Sequence, residues 1–164
     1  MMNANEHIPS RPLEFVKMQG CGNDYIFIDC FENTVGDPAS LARRLSDRHF
    51  GIGGDGVVLI CPSERADAAM RMFNRDGSEG LMCGNAIRCV GKYLYDARGV
   101  RHSPITVETR SGLRSLDIVV SGGRAVGARV MMGKLITAPA EIPALLDGEC
   151  IVGRKVTGGG KKYR

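Results

Sequence analysis

The 164-residue chain is long enough for one full domain, or for one domain and part of another, and 43% hydrophobic residues are enough for a core. No Trp and 22 Gly point to many turns and short strands and exclude a helical bundle. The net charge of +4 is misleading, because residues 151–164 hold Arg154, Lys155, Lys161, Lys162 and Arg164 and no acid, leaving 17 basic against 18 acidic residues before them.

That basic end does not place its charges on one helical face. It reads as a solvated segment rather than a nucleic-acid or membrane contact. The start, MMNANEHIPSRP, lacks an apolar h-region, and no later run is long enough to span a bilayer. The six cysteines form no C-x-x-C pair and no Cys/His cluster with zinc-like spacing, so no metal site is expected. Reduced thiols and a cytoplasmic protein follow as the expectation.

In chain order, residues 1–12 read as a polar lead-in and residues 13–18 as a strand. The tight segment Gln19-Gly20-Cys21-Gly22-Asn23-Asp24 comes next, then a strand over 25–29. Asn23 and Asp24 are either turn residues bonding their own backbone or an amide and acid presented to a substrate. Asp37-Pro38 starts a helix, with Asp as N-cap and Pro at N1, whose stripe is Leu41, Ala42 and Leu45 and which is expected to end near His49. Residues 51–56 match G-x-G-x-x-G. A dinucleotide loop needs a strand before the glycines and a helix after them. Here the order is helix, glycines, strand (57–60), so the phosphate reading fails.

The centre of the chain is 70–96. Residues 70–74 alternate as a strand, Asp76-Gly77 turns, and Cys83-Gly84-Asn85 leads into a helix with Ile87, Val90 and Leu94 as its apolar stripe and Gly99 as its stop. A cysteine at a helix entrance meets unpaired N–H groups and the positive dipole end, which favour thiolate over thiol. The N–H groups of Gly84 and Asn85 suit a carboxylate. The plainer alternative is a buried structural cysteine. Strands follow over 105–109, 113–120 and 124–132, the last two joined by Gly122-Gly123, with Val126, Ala128, Val130 and Met132 on one face. Seven strands and two helices make an α+β domain over 13–133, a mixed or antiparallel sheet curled round the central helix. Residues 134–164 read as a connector and the truncated start of a second domain.

The stretches Phe15-Val16-Lys17-Met18 to Gly22-Asn23-Asp24, Arg48-His49-Phe50-Gly51-Ile52-Gly53 to Asp55-Gly56, Phe73-Asn74 to Asp76-Gly77, Met82-Cys83-Gly84-Asn85 to Arg88-Cys89, and Glu108-Thr109 to Gly112 come in one order. Together they resemble the diaminopimelate epimerase family, cofactor-independent isomerases of amino-acid biosynthesis, over its N-terminal half. The resemblance implies two similar halves, each a sheet wrapped round a helix, with the site between them. It makes Cys83 one of two catalytic cysteines and gives Asn23, Asn74, Gly84 and Asn85 the substrate's α-amino and α-carboxylate groups. Gly56 stands where some members carry a Gln, and Ala86 where a Gly is common. The second thiol belongs to the family's other half, and none of the remaining cysteines matches it.

Inversion at Cα needs a base on one face and an acid on the other. The 164-residue chain by itself is therefore expected not to invert its small amino-acid substrate. Two other readings stand beside this one: a proline or hydroxyproline racemase of the same superfold, and a non-catalytic half that binds an amino acid or pairs with a second copy as a homodimer.

Overall fold

The computed structural model describes residues 12–163, so the lead-in (Pro12 excepted) and Arg164 lie outside the described residues. The chain divides into two compact units, one ending at Met132 and one beginning at Gly133.

The first unit holds strands β1 (Val16–Gly20), β2 (Asn23–Asp29), β3 (Gly56–Cys61), β4 (Ala68–Asn74), β5 (Glu79–Gly80), β6 (Ile105–Thr109), β7 (Gly112–Ser121) and β8 (Arg124–Val130), with helices α1 (Pro38–Leu45) and α2 (Gly84–Asp96). The strands form one sheet in the order β1-β2-β3-β4-β6-β7-β8, and the two-residue β5 pairs with β4. Only β2–β3 and β4–β6 are parallel. Those are the two pairs whose connections contain α1 and α2, as parallel pairing requires a crossover.

Helix α2 packs against both edge strands, β1 and β8, and against β2, β6 and β7. In a flat seven-strand sheet the edges would stand about 29 Å apart. A helix about 10–12 Å across cannot touch both. The sheet therefore curls round α2, the mixed, curled α+β arrangement expected from the sequence.

Alternation along the strands explains the two cores. Tyr25 and Phe27 of β2, Val58 and Ile60 of β3, and Met70 and Met72 of β4 face inward with Ile87, Val90 and Leu94 of α2. Ile26, Ile28, Val57, Leu59 and Phe73 face outward under Ala42 of α1. Strands β2 and β3 are thus buried on both faces, which is why they read as continuous apolar runs. Gly91 lets α2 sit close on β7: a Cβ there would lie 2.8 Å from Leu116 Cδ2 and 3.0 Å from Ile118 Cδ1.

Several boundaries differ from expectation. Strand β1 runs to Gly20 and β2 starts at Asn23, because Cys21 (φ 55°) and Gly22 (φ 82°) make a two-residue hairpin loop, with Gly20 paired to Asn23. Helix α1 stops at Leu45, not near His49. The Asp47 carboxylate takes the N–H groups of His49 (2.7 Å) and Phe50 (2.8 Å), which folds those residues into a turn. The sheet has eight strands rather than seven because β5 joins it. The expected face of β8 is broken: the ladder slips between Val119 and Val120, Val119 pairing Gly127 and Val120 pairing Ala125. Val126 is the extra residue of this bulge and is exposed, while Ala125 is buried. The Gly122-Gly123 hairpin has both residues at positive φ, as a two-residue loop demands.

The second unit, described by itself, holds a 3₁₀ turn (Pro139–Glu141) and a hairpin of β9 (Val156–Gly158) and β10 (Lys161–Tyr163), bent at Gly159 and Gly160. No helix among the described residues is long and apolar enough to cross a membrane.

Candidate active site

Cys83 is the N-cap of α2, in extended backbone conformation (φ −132°, ψ 118°). Its Sγ accepts the Ala86 N–H at 3.5 Å and donates to Asn23 Oδ1 at 3.4 Å. The sulfur therefore has one partner for its lone pair and another for its proton. Ile87 N–H is taken by the Cys83 carbonyl at 3.0 Å. The first two N–H groups of the helix, those of Gly84 and Asn85, have no partner within it and remain as donors beside the thiol. Ala86 is almost fully buried, so the small residue expected there is also required there.

Asn23 is held by an ion cluster. Asp55 Oδ2 accepts Asn23 Nδ2 at 2.6 Å and the Asp24 N–H at 3.0 Å, while Asp55 N–H returns a bond to the Asp24 carbonyl at 2.7 Å. With its Nδ2 committed to Asp55, the Asn23 amide can only turn its oxygen to Cys83. Arg48 spans the two acids, at 2.7 Å from Asp24 Oδ1 and 3.0 Å from Asp55 Oδ1, and Lys17 binds both Asp24 and the Gly53 carbonyl. The hydrogen bond from Arg48, then that from Lys17, holds the Asp24 carboxyl well below the usual carboxylate range. The Gly51–Gly56 region thus serves as a scaffold that brings Asp55 under Asn23 and leads into β3.

Asn85 is fixed by Arg88, whose Nη2 reaches its Oδ1 at 2.6 Å and Cys21 Sγ at 3.4 Å, while Nη1 caps the Gly84 carbonyl at 2.8 Å. Gly20 closes this corner, since a Cβ there would lie 3.0 Å from the Asn85 carbonyl oxygen. Asn74 shares the inward face of β4 with Met70 and Met72. Its Nδ2 donates to Ser78 Oγ at 2.9 Å, and its N–H to the Ser78 carbonyl at 2.8 Å. The described contacts join Cys83 to Asn23, with Gly84 and Asn85 adjacent; they do not join Asn74 to Cys83. At Gly56 a Cβ would lie 2.1 Å from the Phe73 carbonyl oxygen and 2.9 Å from Tyr25 Cε1, so the backbone excludes any side chain.

Sequence reasoning missed four residues: Asp55, Arg48, Arg88 and Tyr25. Tyr25 faces inward two residues after Asn23, and Cys83 and Asn23 are among the neighbours that act on its hydroxyl. Burial, then the neighbouring Cys83, pushes the phenol up to about 12, so it stays a donor at neutral pH. The available signal was its spacing: residues i and i+2 of a strand share a face. Cys89 is buried and its thiol pushed up by that burial, as befits a structural residue. A cavity of about 260 Å³ lined by Phe15, Asp29, Tyr93 and Arg98 lies at the other end of α2, about 15 Å along the helix from Cys83, and takes no part in this arrangement. Among the described residues no group of three or more His, Cys, Asp or Glu could hold a metal ion.

This arrangement can do proton-transfer chemistry: a thiol with a proton acceptor on one side and donors for a carboxylate on the other. The family model for diaminopimelate epimerase matches residues 15–137. The chain is 51% identical over 152 residues to the diaminopimelate epimerase of Acetivibrio thermocellus, covering 93% of this chain and 54% of that protein. It is 54% identical over 135 residues to that of Desulfovibrio desulfuricans, covering 82% and 47%. The chain spans about half the length of the curated relatives it matches. In fold it is similar to a hydroxyproline epimerase from Agrobacterium vitis (TM-score 0.54, 19% identity, 73% of this chain, 41% of that one) and to a methylitaconate-delta-isomerase (0.57, 20%, 69% and 36%). Motifs, match and fold agree: the chain belongs to the diaminopimelate epimerase family.

Proposed function

We propose that this chain carries one half of the active site of a cofactor-independent epimerase that converts LL- to meso-diaminopimelate in the cytoplasm, on the route to lysine and peptidoglycan. The observation that carries this reading is the Cys83 sulfur at the entrance of α2, 3.4 Å from Asn23 Oδ1 and next to the open N–H groups of Gly84 and Asn85. Cys83 as thiolate takes the α-hydrogen: the Cα–H bond breaks, an S–H bond forms, and the electron pair spreads from Cα into the carboxylate. Charge then grows on the carboxylate oxygens, where the Gly84 and Asn85 N–H groups bind more tightly than in the ground state. Asn23 and Asn74 hold the α-amino group. Asn74 has its Oδ1 available for that role, since its Nδ2 is committed to Ser78.

Inversion also needs a proton donor on the opposite face of Cα. The resemblance assigns that group to the family's other half, and the relatives are about twice as long as the matched stretch. This chain alone is therefore proposed to exchange the α-hydrogen without inverting the centre. Incubating it with LL-diaminopimelate in D2O, beside Cys83→Ala, tests this. Deuterium at Cα with retained configuration, absent in the variant, supports the reading. Equal exchange by both proteins refutes Cys83 as the base.

A further inference from the structure

Cys30 and Cys61 have no place in that chemistry, yet they sit together. Strands β2 and β3 are parallel with Asp29 opposite Ile60, so the next rung sets Cys30 opposite Cys61, and the Cys30 N–H bonds the Ile60 carbonyl at 2.8 Å. Both side chains continue the outward rows Ile26-Ile28 and Val57-Leu59 and pack, half-buried, on the core under α1. They thus lie on the face of the sheet opposite to Cys83, which packs on the inner core. Arg71, on the outward face of the neighbouring strand β4, is a cation whose charge acts on both. Both cysteines are free thiols.

We propose that Cys30 and Cys61 form a reversible dithiol–disulfide site on the outer face of the sheet, oxidised by peroxides and reopened by thiols. Neighbouring strands stand about 4.8 Å apart, inside the Cα separations of about 4.4–6.8 Å that disulfides span. The pair lies one step past the last rung of the β2–β3 ladder, Asp29 opposite Ile60. Pro62 follows Cys61 and has no N–H to extend the pairing, so the two sulfurs can close without tearing continuing strands.

The two thiols divide the work. With Cys30 and Arg71 as neighbours, the Cys61 thiol is held below its ordinary value, while Cys30 is pushed up by Cys61 and by burial. Cys61 is the attacking sulfur and Cys30 the resolving one. The Cys61 thiolate attacks a peroxide oxygen, the O–O bond breaks, and hydroxide leaves. Cys30 sulfur then displaces hydroxide from the sulfenic acid, the S–O bond breaks, and the Cys30 proton leaves in water. Two electrons pass from the sulfurs to one peroxide, giving two waters. Such a half-exposed cross-strand disulfide is open to attack and reduction by glutathione-type thiols.

The test is peroxide treatment of the folded chain, alkylation of the remaining thiols, and peptide mass mapping. A Cys30–Cys61 linkage two hydrogens lighter, absent after dithiothreitol, is expected. With Cys30→Ala, dimedone should trap a sulfenic acid at Cys61, and alkylation of Cys61 at neutral pH should slow, because the neighbour that favours its thiolate is gone. If the native chain yields Cys61 sulfinate or no change at either thiol, while its circular dichroism stays native, the proposal is overturned. Since no substrate is used, that failure is separate from any failure of the epimerase reading.

Discussion

Replacing Asp55 by Ala tests whether the ion cluster aims Asn23 at Cys83. Three hydrogen bonds are lost: those from Asn23 Nδ2 and the Asp24 N–H to Oδ2, and that from Arg48 to Oδ1. The carboxylate is 38% exposed and Arg48 49% exposed, so water replaces much of the Arg48 contact, worth below about 1 kcal/mol. The two bonds on Oδ2 serve part-buried donors and count about 1 kcal/mol each. The total is about 2–3 kcal/mol, a large fraction of an ordinary domain's stability of about 5–15 kcal/mol but not all of it. Asp55→Asn discriminates between geometry and charge. Its remaining oxygen can still take both bonds at Oδ2, while its amide nitrogen meets Arg48 donor to donor, so it should cost about 1 kcal/mol or less. Urea unfolding of the three proteins measures this. Equal losses for the two variants would mean that charge, not the two bonds at Oδ2, is what matters. A loss in Asp55→Ala below about 0.5 kcal/mol would mean that water substitutes for the carboxylate altogether.

Gly91→Ala gains about 1 kcal/mol of helix propensity but drives a methyl into Leu116, which is fully buried and cannot swing out to solvent, at a cost of about 1–3 kcal/mol; net destabilisation in urea is expected, and a gain would show that α2 does not seat so closely on β7. Asp24, depressed in the folded chain by Arg48 and Lys17, adds stability that is complete above its ordinary unfolded value near about 4 and is lost as pH falls below that through the lower folded value; acid unfolding should show this slope, and Asp24→Asn should lack it. Tyr25 and Tyr93, both pushed up to about 12 chiefly by burial, should ionise late in an ultraviolet titration of the folded chain, and Tyr25→Phe should remove one of the two late phenols; loss of an early-ionising phenol instead would place the Tyr25 ring in water.

The fold was legible where a single periodicity decides the outcome. Ile87, Val90 and Leu94 recur at helical spacing and are all fully buried, so α2 could be read outright. The apolar runs of β2 and β3 announced strands, and the fold shows that both of their faces are buried. Misplaced features are those where one backbone turn outweighs pattern. Val126 fits the alternation of β8 perfectly well as a residue type, but the bulge places it outside, and nothing in its identity signals that. Helix α1 ends early because the Asp47 carboxylate captures two backbone N–H groups, which competes with continuing the helix only once the glycines beyond it fold back. Gly53 N–H then takes the Leu45 carbonyl at 2.9 Å and Gly54 N–H the Ser46 carbonyl at 3.1 Å.

The site divides along the same line. Cys83, Gly84 and Asn85 are consecutive, so their juxtaposition at a helix entrance is a local property and could be read from order alone. The residues alone leave Asn23 between turn residue and substrate contact, and only the resemblance gives it the substrate, because its orientation depends on Asp55, 32 residues later, through one 2.6 Å bond. Asp55 itself sits in a glycine-rich run where an aspartate is an unremarkable turn residue. Only the parallel pairing of β2 with β3, which sets Tyr25 opposite Gly56, carries the preceding residues of each strand, Asp24 and Asp55, side by side. Two acids brought together this way demand cations, and Arg48 and Lys17 supply them from the end of the α1 turn and from β1. The placement of the Cys83 thiol is thus a feature of sequence, whereas the amide that accepts its proton, that of Asn23, is oriented by sheet register.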